Sequence, residues 1–124
     1  MNKRRIRVVF EQETEGAYKQ LVEDVTDKRK KGISNSDNQR LLKSIDYGVE
    51  RLTVNPLAGV QIQRKLIPAV YLHKYEIDNL WKIDLVNYWR MLYTIKGDKI
   101  EIMCFILDIV DHSKYDKIFG YKKR

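Results

Sequence analysis

The sequence predicts an α+β domain of order β-α-α-β-β-β, a helix hairpin packed on one face of a mostly antiparallel four-stranded sheet. Three observations carry that prediction. Apolar residues recur at helical spacing through two consecutive segments, residues 14–31 and 36–54. From residue 80 the apolar period becomes two. The last run, residues 100–110, is apolar at almost every position, which suits a strand covered on both faces inside a sheet.

Residues 6–10 (Ile-Arg-Val-Val-Phe) are short, β-branched and flanked by charge, and read as the first strand. Thr14 is placed to cap a helix running to Lys31, with Ala17, Tyr18, Leu21, Val22 and Val25 on one stripe and Gly32 as its stop. The basic run 28–31 suits the C-terminal end of that helix dipole. Ser36 and Gln39 have capping-box spacing, and Leu41, Leu42, Ile45, Val49 and Leu52 mark a second helix that ends at Asn55-Pro56. The polar link between the two helices is short, so they should form an antiparallel hairpin. Residues 57–79 are read either as an irregular excursion or as one containing a short helix opened by Pro68. Strands follow at 80–85, 88–95 and 100–110, with Gly97-Asp98 as the turn between the last two. A short, partly helical tail closes the chain.

At 124 residues this is one domain, spanning 1–124. A hydrophobic fraction of 44% and a charged fraction of 33% describe a globular chain. The single cysteine, Cys104, excludes an internal disulfide and a cysteine-based metal cluster, and it lies in an apolar run where a buried thiol is expected. No stretch has the ~18 apolar residues of a membrane span, and no signal-peptide pattern follows Lys3, Arg4 and Arg5. A cytoplasmic protein is expected. The net charge of +7, from 24 Lys and Arg against 17 Asp and Glu, favours an anionic partner, either nucleic acid or an acidic protein segment. The basic clusters fall at 3–7, 28–31 and 122–124.

Glycine-rich phosphate loops, the G-x-S-x-G elbow and H-E-x-x-H are absent, and His73 and His112 are far apart, so neither metal nor cofactor is expected. A basic and aromatic set remains on the strands. With Gly97-Asp98 as a two-residue turn, Lys96 pairs with Lys99 and Arg90 with Phe105. Trp89, Met91, Tyr93 and Ile95 then share an apolar, helix-covered face with Ile100, Ile102, Cys104 and Ile106. Arg90 lies on the other face with Tyr88, Leu92, Thr94, Glu101 and Met103, where it serves a ligand or pairs with Glu101 or Asp84. A two-residue loop before Tyr88 sends Lys82 to the helix side, whereas a three-residue loop places Lys82, Asp84 and Arg90 together. Trp81, Ile83 and Leu85 suit the core better than Lys82 and Asp84, which favours the longer loop. His112 can exchange protons near neutrality, and Tyr115 offers a phenol or a stacking surface. Arginine, histidine and tyrosine together suit RNA cleavage, in which the attacking 2′-hydroxyl belongs to the substrate.

The runs Leu-Trp-Lys-Ile-Asp-Leu at 80–85 and Tyr-Trp-Arg-Met-Leu-Tyr-Thr-Ile at 88–95, followed by the apolar strand at 102–108, resemble the closing sheet of RelE/ParE-superfamily toxins. The ending Asp111-His112-Ser113-Lys114-Tyr115-Asp116-Lys117 is similar to the His-x-x-Tyr-Asp ending of HigB-type members. This resemblance implies a microbial RNase-like fold. It also implies a toxin of a toxin–antitoxin pair that cuts messenger RNA, usually at the ribosome, so translation stops. A cognate antitoxin protein would hold it inactive. Carried over by position, Lys82, Arg90, His112 and Tyr115 are the catalytic candidates, and Lys65, Lys114, Lys117 and Tyr88 are the candidate RNA-binding residues. Asp84 departs from the pattern, standing where RelE-type enzymes often carry a second basic residue, and no arginine accompanies His112. ParE-type members act on DNA gyrase instead, so a protein-binding, non-nuclease role is the alternative.

Overall fold

The computed structural model describes residues 4–121, so Lys3 and the basic run 122–124 lie outside the described residues. Strand β1 (Arg5–Phe10) leads straight into helix α1 (Gln12–Lys30). Glu11, not Thr14, caps that helix, its carboxylate accepting from the amides of Glu13 (3.0 Å) and Thr14 (3.3 Å). Thr14 is buried instead, and its hydroxyl donates to the Leu107 carbonyl at 2.8 Å. A threonine facing the sheet was needed there to satisfy a carbonyl of the last strand. Gly32, at φ 79°, ends the helix in the left-handed region as expected.

Helix α2 (Asp37–Val54) carries the expected capping box, with Ser36 accepting from the Gln39 amide at 3.2 Å and Gln39 Oε1 from the Ser36 amide at 2.6 Å. Leu41, Ile45 and Leu52 of α2 are buried, and with Met91, Tyr93, Cys104 and Ile106 they form the first core. This is the apolar sheet face assigned from periodicity. Ile100 does not belong to it and is 79% exposed.

After Asn55-Pro56 the chain adds β2 (Val60–Gln61), then helix α3 (Ala69–Tyr75), β3 (Trp81–Asp84), β4 (Arg90–Gly97), β5 (Glu101–Val110) and α4 (His112–Phe119). The sheet order is β1-β5-β4-β3-β2, with β1 parallel to β5 and the other neighbours antiparallel. The sheet thus has five strands, not four, through the two-residue β2 at its edge. Strand β4 also begins two residues later than expected, because Asn87 (φ 55°) and Tyr88 (φ 63°) are left-handed and cannot join a ladder.

The last turn also moves. Asp98 pairs with Glu101, and its carboxylate accepts from the amides of Ile100 and Glu101, both at 2.8 Å. The turn is therefore Lys99-Ile100, two residues beyond the expected Gly97-Asp98. Lys96 pairs with Met103 rather than Lys99, a shift of four. Because four is even, the side chains between the turn and Tyr93 on one strand and Ile106 on the other keep their faces. A bulge between Leu92 and Tyr93 adds one more residue on β5, so Arg90 stands opposite Val110 and not Phe105.

The far face is not open. Residues from α3, its flanking segments and α4 cover it in a second core of Ile67, Tyr71, Ile77, Leu80, Leu92, Leu107, Val110 and Tyr115. Pro68 does open a short helix, and the excursion is the lid of this second layer.

Gly59 locks the excursion to the sheet. Its amide donates to the Tyr93 hydroxyl (3.1 Å), which donates in turn to the Pro56 carbonyl (2.9 Å). A Cβ on Gly59 would meet the Tyr93 hydroxyl at 2.7 Å and collide with the Lys82 carbonyl oxygen. Gly59→Ala should cost about 1–3 kcal/mol in urea unfolding. Burial pushes the Tyr93 phenol up to about 12. The unfolded chain, with a phenol near ~10, ionises first, so this contribution is complete below that pH and declines as pH rises toward the folded value. Tyr93→Phe should therefore lower stability at neutral pH by about 1–2 kcal/mol and flatten the alkaline decline. An unchanged alkaline limb would contradict the burial of this phenol.

Candidate functional site

Three residues, 86–88, join β3 to β4, closed by the Leu85 amide donating to the Trp89 carbonyl at 2.7 Å. The Ser44 hydroxyl of α2 accepts from the Val86 amide at 3.0 Å and ties this loop to the helix layer. Asp84 consequently pairs with Arg90, and Lys82 with Leu92. Lys82, Asp84 and Arg90 share the face away from α1 and α2, as the longer loop required.

Helix α4 closes on this trio. Asp111 caps it, its carboxylate accepting from the Lys114 amide at 2.8 Å. The first turn sets His112 against Arg90, and Tyr115 turns inward beneath both cations. The Arg90 guanidinium lies 4.4 Å from the Tyr115 ring centroid and the Lys82 ammonium 5.8 Å. Tyr115 is buried and stacked on Phe119 at 4.3 Å, and burial holds its phenol above the usual value. Tyr115 is thus the platform on which the cations rest. The ring free to meet a base is Tyr88, which is exposed and lies 5.8 Å from the His112 ring.

Arg90 Nη1 donates to the Tyr88 carbonyl (2.8 Å) and meets His112 Nδ1 at 3.1 Å. A guanidinium can only donate, so in this contact Nδ1 is the acceptor, which assigns the ring proton to Nε2. That nitrogen faces Asp116 Oδ2 at 3.2 Å. One oxygen of Asp84, Oδ1, lies 3.1 Å from Lys82 Nζ and 3.7 Å from Arg90 Nε. Glu101 pairs with Arg7 at 3.1 Å, so Asp84 alone of the two anticipated acids meets Arg90. Arg90 Nε is itself buried and without a hydrogen-bond partner.

Lys82, Arg90, His112 and Tyr115 therefore come together, with Tyr88 at the rim. Lys65, exposed on the turn Arg64–Leu66, makes no hydrogen bond or ion pair with them among the described residues, and neither does the exposed Lys117. Lys114 lines a different cleft, of about 310 Å³, with Glu13, Lys74 and Asp108. Asp116 entered the sequence reading only as part of the His-x-x-Tyr-Asp ending, without a role, and the Tyr88 carbonyl did not enter it. Asp116 stands four residues after His112, helical ion-pair spacing that could have marked it.

A five-stranded mixed sheet, a helix hairpin on one face and a C-terminal helix closing over strand-borne cations define a small α+β fold. No family profile matches the sequence, and no curated protein matches it. Among solved structures, the YoeB/ParE toxin from Agrobacterium tumefaciens superposes with a TM-score of 0.52, covering 86% of this chain and 98% of that one at 14% identity. The chain has the fold of the RelE/ParE-like toxins.

The hydrogen bonding fixes a tautomer that can be measured. Long-range ¹H–¹⁵N correlation at mildly alkaline pH should show His112 Nδ1 unprotonated and Nε2 protonated. Arg90→Ala should move the ring toward a mixture of tautomers. Identical spectra for the two proteins would show that Arg90 does not hold the ring.

Proposed function

We propose that this chain is the toxin of a toxin–antitoxin pair and cleaves RNA in the cytoplasm without metal, free or at the ribosome, arresting translation. The observation that carries this reading is the convergence of Lys82, Arg90 and His112 over the Tyr115 ring. The fold shared with the YoeB/ParE toxin and the HigB-like ending of α4 agree with it.

RNA cleavage by a 2′-hydroxyl needs charge stabilisation at phosphorus, a hold on the phosphate and proton transfer. Arg90 retains Nη2 for a phosphate oxygen, because Nη1 is committed within the protein and Nε is buried beside Asp84. Lys82 holds a second oxygen as a point charge. When Arg90 turns to a phosphate, His112 Nδ1 is released and can take up a proton. The resulting imidazolium, steadied by Asp116, supplies the proton for the departing 5′-oxygen. Tyr88 offers its exposed ring to a flanking base. Lys65, Lys114 and Lys117 lie farther out and would contact backbone phosphates only in a longer RNA. An antitoxin protein is the expected partner.

Arg90→Ala should abolish growth arrest on expression while circular dichroism and thermal midpoint show a folded chain. Primer extension on total RNA should give discrete new 5′ ends with the parent protein and none with the variant. Full toxicity of Arg90→Ala would sink the assignment. Arrest with a DNA-damage response and no RNA cuts would instead favour the gyrase-directed alternative, which the pairing of both cations with Asp84 makes the competing reading.

A further inference from the structure

Asp84 is the one acidic group set directly between the two cations of the site. One of its oxygens, Oδ1, pairs with both, at 3.1 Å from Lys82 Nζ and 3.7 Å from Arg90 Nε. The second distance is beyond hydrogen-bond reach, and the buried N–H of Arg90 Nε has no partner. Because that N–H is buried, the donor Arg90 leaves for a ligand is Nη2. Asp84 Oδ2 accepts no hydrogen bond among the described residues, and the side chain is 67% exposed. The site thus offers, side by side, two cations for a phosphate and one carboxylate oxygen that can only accept.

A carboxylate beside a phosphate is repulsive unless a hydroxyl lies between them. RNA supplies that hydroxyl at the carbon next to its 3′-phosphate, and DNA does not. We infer that Asp84 reads the ribose 2′-hydroxyl adjoining the phosphate held by Arg90 and Lys82, so that the site selects RNA over DNA, and that it accepts the proton of that hydroxyl in cleavage. The second half rests on the nuclease reading; the first does not. In the step, the 2′-O–H bond breaks and its proton passes to Asp84 Oδ2. The 2′-oxygen bonds to phosphorus, and the bond from phosphorus to the 5′-oxygen breaks. The 5′-oxygen leaves with the proton from His112. The products are a 2′,3′-cyclic phosphate and a 5′-hydroxyl, and Asp84 returns its proton to water.

The test uses uncleavable probes, the four ribonucleoside 3′-monophosphates and their 2′-deoxy counterparts, titrated into the full chain by NMR. The parent protein should prefer the ribo form of at least one base by about tenfold or more, the contribution of a hydrogen bond to a charged group. Asp84→Ala should bring that ratio close to one, tighten binding of the deoxy form and lose cleavage of RNA. Lys82→Ala should weaken both forms alike and leave the ratio unchanged. An undiminished ratio in Asp84→Ala overturns the inference. So does a parent ratio near one with Asp84→Ala tightening both forms equally, which would make Asp84 an internal stand-in for phosphate. Either result alongside RNA cleavage by the parent protein removes this inference and leaves the nuclease reading standing. Absence of binding by any probe overturns this inference, and the nuclease reading is then decided by the primer-extension result. A ratio that collapses in Asp84→Ala without cleavage by the parent protein supports the recognition role and removes the catalytic half.

Discussion

The parity of one loop decides what this sheet can do. Residues 86–88 connect β3 to β4 as three residues, and a side chain changes face with every residue added or removed. With three, Trp81, Ile83 and Leu85 of the first arm and Met91 and Tyr93 of the second meet the helix layer. Lys82, Asp84 and Arg90 are then forced to the opposite face together. With two, the core would receive a lysine and an aspartate, and the cations would be separated by the thickness of the sheet. This loop closes through two consecutive left-handed residues, Asn87 and Tyr88. Asn87 tolerates that conformation, but Tyr88 does not favour it. The Tyr88 strain is offset by the bonds around it: Leu85 to Trp89, Val86 to Ser44, and Arg90 to the Tyr88 carbonyl. The guanidinium proposed to meet a phosphate therefore also stabilises the turn that positions it.

The second layer makes the cation cluster tenable. Arg90 is only 15% exposed, and two cations so close would repel each other on a bare sheet. The Tyr115 ring face and Asp84 counter that repulsion. Tyr115 reaches its place because the Asp111 cap starts α4 immediately after β5, putting His112 in the first turn and Tyr115 one turn inward. The excursion and α4 then seal Leu92, Leu107 and Val110 beneath the site. Burial of this second core and assembly of the site are one event. Loss of packing at Tyr115 would free Arg90 and Lys82 along with it.

Faces were legible in the sequence, and partners were not. Alternation in β4 and β5 identified the helix-covered side, and that assignment survived a turn misplaced by two residues because the pairing error was even. The location of the turn depended on Asp98 accepting from two amides, which outweighed the Gly97-Asp98 signal. The bulge at Leu107 left no trace in an uninterrupted apolar run. The lid over the far face was hidden for a different reason. Ile67, Tyr71, Ile77 and Leu80 are spread over a segment that changes conformation several times, so no single period links them. Of the site, Arg90 and Lys82 followed from parity, while His112 and Tyr115 followed from resemblance. The division of labour between Tyr115 as support and Tyr88 as exposed ring could be seen only once α4 was folded against the sheet.

The charge balance of the cluster separates attraction from discrimination. Lys82 and Arg90 share Asp84, and Asp116 faces His112, so two cationic side chains of the site stand beside two carboxylates. The net charge of +7 belongs to the rest of the surface. A polyanion would thus be drawn to the body of the protein by a diffuse, salt-sensitive field. What is accepted at the cluster depends on how well a ligand replaces bonds already made there. A bare phosphate must compete with Asp84 for both cations and gains little. A phosphate flanked by a hydroxyl would meet the cations and the carboxylate at once. A carboxylate beside the cations therefore turns a generally basic surface into one that distinguishes among anions.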